Sequence, residues 1–388
     1  MASPLPAAKA DVPVETRSTG SLPHRKRSLG LKLLFLVVFT LVLLEIMLRV
    51  QQKMGPFYDL EMVDVTLTSL SDDFNHSPPR DGIRYDENGL KLYTGVIPPE
   101  ALQDAKAPKI LFMGDSFMQG VGGQDDAAWP IWDAYRQAGL AIIPVNAAYS
   151  SYSPALFIPQ ARKLLPIVQP KYVVVDIDHT DVPDDYYRYE ALVERDDKGQ
   201  IVRVKATPAN RYHTENLIAA RSHALYLVRF LHKTYVVRWG FRSIDQGRAV
   251  QVQQQVEAFV NASPEQAAGK YDKEIALFER NLRELADVLI GSVGSGDKVL
   301  WVCHPHQNHI AQVPGEPAHH RLVFDAVSKV AGEKGIHYYD ATPDIAKAFG
   351  SKYQDYYLKG DVIHHFNRAG LKIYARCIYD HLPPEWKK

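Results

Sequence analysis

Only two cysteines occur in 388 residues, Cys303 and Cys377, and neither belongs to a C-x-x-C pair. That excludes a zinc ribbon and a thioredoxin-like redox motif. Both read as buried thiols, the usual place for free cysteine. A disulfide between them is permitted outside the cytoplasm, but nothing in the sequence demands it. Excess charge of either sign is also missing, since 45 Lys and Arg balance 45 Asp and Glu. A balanced chain gives no electrostatic argument for nucleic acid as a partner. No internal repeat is visible, and after residue 50 no apolar run is long enough to cross a bilayer.

What is present begins at the N-terminus. Residues 1–28 are rich in Pro, Ala and Ser, lack periodicity and end in the basic cluster His24, Arg25, Lys26, Arg27; they read as a disordered cytoplasmic tail. Residues 29–50 are almost continuously apolar. As a helix they would span roughly 33 Å, enough for a hydrocarbon core of about 30 Å. Lys32 and Arg49 lie near the ends, where they can snorkel to the headgroups, and Glu45 sits near one interface. The long polar lead and the lack of a small-x-small cleavage site favour a single-pass signal anchor over a cleaved signal peptide. Basic residues precede the span, so the N-terminus is expected in the cytoplasm and residues 51–388 outside it, in the periplasm or at the cell surface.

Beyond the span, 46% hydrophobic and 23% charged residues predict an ordinary packed core. Residues 51–105 read as an irregular lead-in and 106–388 as the main domain. Short apolar runs at Lys109–Met113, Ala141–Val145, Tyr172–Ile177, Lys298–Cys303 and Ile336–Tyr339 alternate with helical patterns at Ala127–Ala138, Ala155–Val168, Arg321–Glu333 and Arg368–Leu382. Buried runs separated by helices predict βαβ units and a mostly parallel sheet covered on both faces. The interval 181–295 reads as a largely helical insertion packed beside the sheet, with helix-like stretches near Glu215–His232 and Lys270–Leu289.

Two loops carry candidate chemistry. Ser116 follows the first strand in Phe112-Met113-Gly114-Asp115-Ser116-Phe117. A serine at a strand-to-helix turn, at the carboxyl end of a parallel sheet, exposes its hydroxyl where such sheets bind ligands. Near the C-terminus, Asp361-Val362-Ile363-His364-His365-Phe366-Asn367 comes just before the last helical pattern, with Asn367 as a good N-cap. That loop offers the base and the carboxylate that a serine nucleophile requires. Taken singly, either loop reads as an ordinary polar turn.

Together, "ILFMGDSFMQGVGGQDDAAWP" and "DVIHHFNRAG" resemble the SGNH hydrolase superfamily, the GDSL-type esterases and acetylesterases. The resemblance covers roughly residues 108–382. It implies an α/β fold, a flavodoxin-like three-layer α/β/α sandwich with a mostly parallel sheet, here with a helical insertion and one N-terminal transmembrane helix. It also implies Ser116 as nucleophile, His365 or His364 as base and Asp361 as its orienting acid. The spacing to Gly370 favours His365, whereas the Asp-x-x-His spacing favours His364. An oxyanion hole would come from Ser116, Ala148 and Thr180, with Asp115, Asn146, His179 and His306 lining the cleft. Two positions depart from the family pattern: Ala148 stands at the usual glycine and Thr180 at the usual asparagine. Losing one oxyanion donor typically costs about 2.7–4 kcal/mol.

His304, His306 and His309 in "CHPHQNH" raise the question of a metal. Their spacing is not a helical i, i+4 pair and no carboxylate partner stands with them, so they read as a polar loop lining the cleft and no metal site is assigned. Tyr186, Tyr187 and Tyr189 could stack on a sugar, although tyrosines of an insertion more often pack. The resemblance calls for no cofactor. It implies an extracytoplasmic serine esterase acting on O-acyl, for instance O-acetyl, esters of a small molecule or cell-surface glycan. The alternatives are an O-acyltransferase for a surface polysaccharide, or a non-catalytic glycan-binding or assembly protein that keeps the fold. The sequence identifies no protein partner.

Overall fold

The computed structural model describes residues 24–54, 88–91, 107–120, 128–140, 142–205, 224, 244–260, 262, 269–311, 320–358 and 365–387. A first helix, α1 (His24–Met54), precedes the main domain, and its Glu45 accepts the Ala224 N–H at 2.8 Å. Within it Leu29–Leu48 is long and apolar enough to cross a membrane, and its large side chains are exposed, Leu31 to 71% and Phe35 to 70%. Leu48, at the end of that stretch, is buried. The helix starts at His24, so the basic cluster belongs to it and not to the preceding tail. Most of the lead-in 51–105 lies outside the described residues, as does the stretch near Glu215–His232 apart from Ala224.

The main domain is organised by five parallel strands: β1 (Lys109–Met113), β2 (Ile143–Asn146), β3 (Tyr172–Ile177), β6 (Val299–Cys303) and β7 (His337–Asp340). Their order is β2-β1-β3-β6-β7. Counting only these five, the order is 2-1-3-4-5, that of flavodoxin-like doubly wound folds. The remaining strands, β4 (Val193–Arg195) and β5 (Ile201–Val204), form a separate antiparallel hairpin.

Period-two alternation explains both layers. Leu111, Met113, Val173, Val175, Ile177, Val299, Trp301 and Cys303 face one core. Ile110, Phe112, Tyr172, Val174, Leu300 and Val302 face the other. Because both faces are covered, the strands read as continuous apolar runs. The first core is closed by α4 (Pro154–Val168), α6 (Asp272–Val293) and α8 (His320–Lys334). On the second side lie α3 (Ala128–Gln137), α9 (Thr342–Phe349) and α10 (Arg368–His381). Cys303 belongs to the first core and Cys377 packs against the second, and both are free thiols.

The interval 181–295 turns out shorter as an insertion than its sequence suggests. Its last helix, α6, buries Phe278, Leu282, Leu285 and Leu289 against the sheet layer. It is the crossover helix between β3 and β6, so a parallel connection uses it directly. Among the described residues, what lies outside that pattern includes a tight turn and π-helical segment over Asp181–Tyr189, the β4–β5 hairpin, and α5 (Ile244–Val260).

Candidate active site

Ser116 opens a short helix, α2 (Ser116–Gln119), immediately after β1. The turn between them needs glycine. A Cβ on Gly114 would meet Met118 Cβ at 2.7 Å and Asp176 Cβ at 2.8 Å, so only a hydrogen fits between β3 and the serine turn. Asp115 caps α2: its Oδ1 accepts the Phe117 N–H at 2.8 Å. The aspartate of the Gly-Asp-Ser motif is therefore a buried cap, with burial first and the Asp178 charge next pushing its carboxyl well above the usual range. Strand order reverses between β1 and β3, which places Ser116 at the topological switch point where such sheets bind ligands.

His365 approaches from the loop before α10. Its Nε2 lies 2.7 Å from Ser116 Oγ, and both side chains are buried, 7% exposed each. This is hydrogen-bond distance for a hydroxyl and an imidazole that exchange a proton. The loop is positioned from both ends: Leu358 N–H donates to His365 O at 2.9 Å, while Asn367 caps α10 by accepting the N–H groups of Ala369 and Gly370. Gly370 is required there because a Cβ would come within 2.3 Å of Tyr356 O. His364 and Asp361 lie outside the described residues.

Two of the three expected oxyanion donors, Ala148 and Thr180, are engaged elsewhere. Ala148 N–H donates to Asn146 Oδ1 at 2.8 Å, and Asn146 Nδ2 donates to Met118 O at 3.2 Å. Asn146 thus stitches the end of β2 to α2 and is only 1% exposed. Thr180 donates both its N–H and its hydroxyl to Asp178 Oδ1, each at 2.6 Å. An oxyanion would have to compete with these acceptors for either group. At both positions the family pattern is altered in sequence and the local bonding is inward.

Behind Ser116 lies a buried network that the sequence only hinted at. Phe117 presents its ring to three imidazoles, His304 at 3.9 Å, His306 at 4.9 Å and His365 at 4.8 Å between centroids. His304 Nδ1 sits 2.8 Å from Asp176 Oδ1, which also accepts the Tyr374 hydroxyl at 2.7 Å. His306 Nε2 sits 2.6 Å from Asp178 Oδ2. The carboxylate partner missing from the histidine loop therefore comes from the end of β3, 128 residues earlier in the chain. His309, on the short helix α7 (Gln307–Ile310), is directed differently. Its Nδ1 accepts the His306 N–H at 3.0 Å and its ring stacks on His320. His179 is fully buried against the rings of His306 and His309.

Charge settles unevenly in this network. Burial alone would raise the Asp178 carboxyl, but the imidazoles of His304 and His306 outweigh it and hold it well below the usual range. Burial would likewise lower His304, yet the Asp176 and Asp178 carboxylates push it well above an ordinary histidine. Asp181 goes the other way, raised well above the usual range by burial and then by the neighbouring Asp178 and Asp115 charges. His309 is pushed well below 6.5 by burial and the surrounding imidazoles. Carboxyls whose environments drive them in opposite directions mark functional sites more often than plain surface.

Of Tyr186, Tyr187 and Tyr189 only Tyr189 is buried, whereas Tyr186 and Tyr187 are half-buried with their rings edge to face. Tyr189 is fully buried and donates to Ser151 O at 2.6 Å, and Tyr187 donates to Glu274 Oε1 at 2.6 Å.

No protein-family model and no curated protein matches the chain. Among solved structures it is similar to a lipase/acylhydrolase from Enterococcus faecalis at 13% identity, covering 72% of this chain and 95% of that one with a TM-score of 0.37. It is similar at 12% identity to a psychrotrophic esterase from Pseudoalteromonas, covering 72% and 97% with a TM-score of 0.36. An acetylxylan esterase from Geobacillus stearothermophilus is 15% identical, covering 72% and 95% with a TM-score of 0.38. At these values a functional reading has to rest on the strand order and the Ser116 turn, not on the likeness.

Proposed function

We propose that the chain is a serine esterase anchored in a membrane by α1, with its catalytic domain on the extracytoplasmic side. The observation that carries the reading is the 2.7 Å approach of His365 Nε2 to Ser116 Oγ at the switch point of a doubly wound sheet. In this reading His365 takes the hydroxyl proton as Ser116 Oγ attacks an ester carbonyl. The C–O bond to the leaving alcohol then breaks, His365 returns the proton to that alcohol, and water attacks the acyl-serine by the same route. Asp361 is assigned the role of holding the imidazole by its place in the same loop. The substrate class is an O-acyl ester, with acetyl groups on a surface glycan as the first choice given the location.

The inward bonding of Ala148 N–H and of Thr180 favours one second reading. A protein with weakened oxyanion stabilisation is a slow hydrolase, or one that keeps the fold to bind glycan without turnover. A fluorophosphonate probe separates the two. Stoichiometric labelling of the full chain, lost in Ser116→Ala and slowed by about 10²–10⁴ in His365→Ala, supports the esterase. Failure of the folded wild-type chain to label under conditions that modify ordinary serine esterases refutes it. Product analysis with and without an acceptor sugar then distinguishes hydrolysis from acyl transfer.

A further inference from the structure

The carboxyl ends of β3 and β6 bring together Asp178, His304 and His306, with one donor atom from each lying within 4.8 Å of the others. His304 is the informative member. It is 0% exposed, its Nδ1 is held by Asp176, and its Nε2 has no hydrogen-bond partner. That nitrogen faces Asp178 Oδ2 at 3.6 Å, beyond hydrogen-bond range. A buried polar nitrogen without a hydrogen bond is costly to desolvate, and a ligand would satisfy it.

Two of the three groups, His304 and Asp178, are also held from behind, as metal ligands are. Asp176 fixes the His304 ring through Nδ1 and is itself fixed by the Tyr374 hydroxyl. Thr180 occupies Asp178 Oδ1 with two donors, which leaves Oδ2 for His306 and the space between the rings. Carboxylate–histidine pairs of this kind fix the tautomer and aim the second ring nitrogen at the ion. Asp115, Asp176 and Asp181 are buried beside Asp178 at this end of the sheet.

We infer that Asp178 Oδ2, His304 Nε2 and His306 Nε2 bind one divalent metal ion of the zinc type beside the Ser116–His365 pair. Two imidazoles and one carboxylate are a donor set for zinc and its first-row neighbours and a poor one for calcium or magnesium. Zinc bonds of about 2.0–2.2 Å place tetrahedral ligand atoms roughly 3.3 Å apart. The separations of Asp178 Oδ2 from His306 Nε2 and His304 Nε2, 2.6 and 3.6 Å, straddle that value. Binding requires both Nε2 atoms unprotonated, so uptake of the ion should release protons. Three protein ligands leave one position for water or a substrate oxygen. Phe117 touches the rings of both His304 and His365, so the proposed site neighbours the serine–histidine pair.

The test is metal binding, so its outcome does not depend on Ser116 being a nucleophile. The full chain in detergent is stripped with chelator and titrated with Co²⁺, then with Zn²⁺. One equivalent of Co²⁺ with visible d–d absorption, displaced by Zn²⁺, is expected. His304→Gln and His306→Gln should each weaken binding more than about tenfold, whereas Ser116→Ala should bind as wild type does. Asp178→Asn replaces either histidine variant that fails to fold, with circular dichroism as the check. A folded wild-type chain that takes up no Co²⁺ at micromolar concentration overturns the proposal. So does binding that survives unchanged in the folded ligand variants.

Discussion

Replacing Gly114 by alanine tests whether the serine turn is held by contact with β3. The added methyl would stand 2.7 Å from Met118 Cβ and 2.8 Å from Asp176 Cβ. Carbon atoms rest at about 3.5–4.0 Å, so each contact is too close by roughly 1 Å. Neither neighbour can rotate away, since a Cβ moves only with its backbone. Either β3 or α2 must shift, and overpacking of this kind costs about 1–3 kcal/mol. For a domain of this size that lowers Tm by roughly 2–4 °C per kcal/mol, so a fall of about 2–12 °C is expected. The shift matters more for the site, because α2 begins at Ser116. Misplacing a nucleophile by about 1 Å costs on the order of 10²-fold in rate. The assays are a thermal melt and the rate of fluorophosphonate labelling of the folded variant. Gly114→Ala with a wild-type melting temperature and labelling rate would refute the argument that this glycine sets the approach of β1 to β3.

Buried groups and α1 supply the other predictions. Burial above all raises the Asp185 carboxyl to about 6, although Ser153, Asn281 and Ala155 N–H all donate to it. Its folded pKa exceeds the unfolded value of about 3.9, so its contribution is complete below pH ~4 and is lost as pH rises through 6. About half of the roughly 3 kcal/mol involved is lost between pH 5 and pH 7.5, so the melting temperature should be higher at pH 5; Asp185→Asn should flatten that slope, and an unchanged slope would count against it. Tyr374→Phe removes the hydroxyl that Asp176 accepts and should destabilise by about 1–2 kcal/mol in a denaturant melt, with a neutral result contradicting the network. Protease added to sealed, right-side-out cells or spheroplasts should digest the domain beyond residue 54 and spare the N-terminus; full protection of the domain would reverse the proposed topology.

Much of the architecture is readable because the governing signals are local. A fully buried parallel strand must be apolar at every position, and Tyr172–Ile177 matches its strand end for end. The helices over 154–168, 320–334 and 368–381 likewise announce themselves by period and caps. The hairpin β4–β5 and helix α9 leave no such mark, because three- and four-residue strands and an eight-residue helix give too few periods. The extent of the insertion is hidden for another reason. Helix α6 is amphipathic whether it caps a site or completes a crossover, and only its place against α4 and the sheet distinguishes the two.

By itself the sequence determined the apolar N-terminal span, the alternation of strands and helices, and a serine after the first strand with a histidine loop before the last helix. All of these rest on residues near one another in the chain. Tertiary structure alone decided which partners meet. It set His365 against Ser116 across 249 positions and supplied Asp178 to His306 across 128. It also directed Ala148 and Thr180 inward, toward Asn146 and Asp178. The physical reason is that a parallel sheet gathers the carboxyl ends of strands distant in sequence onto one edge, and spacing along the chain carries no record of which side chains meet there.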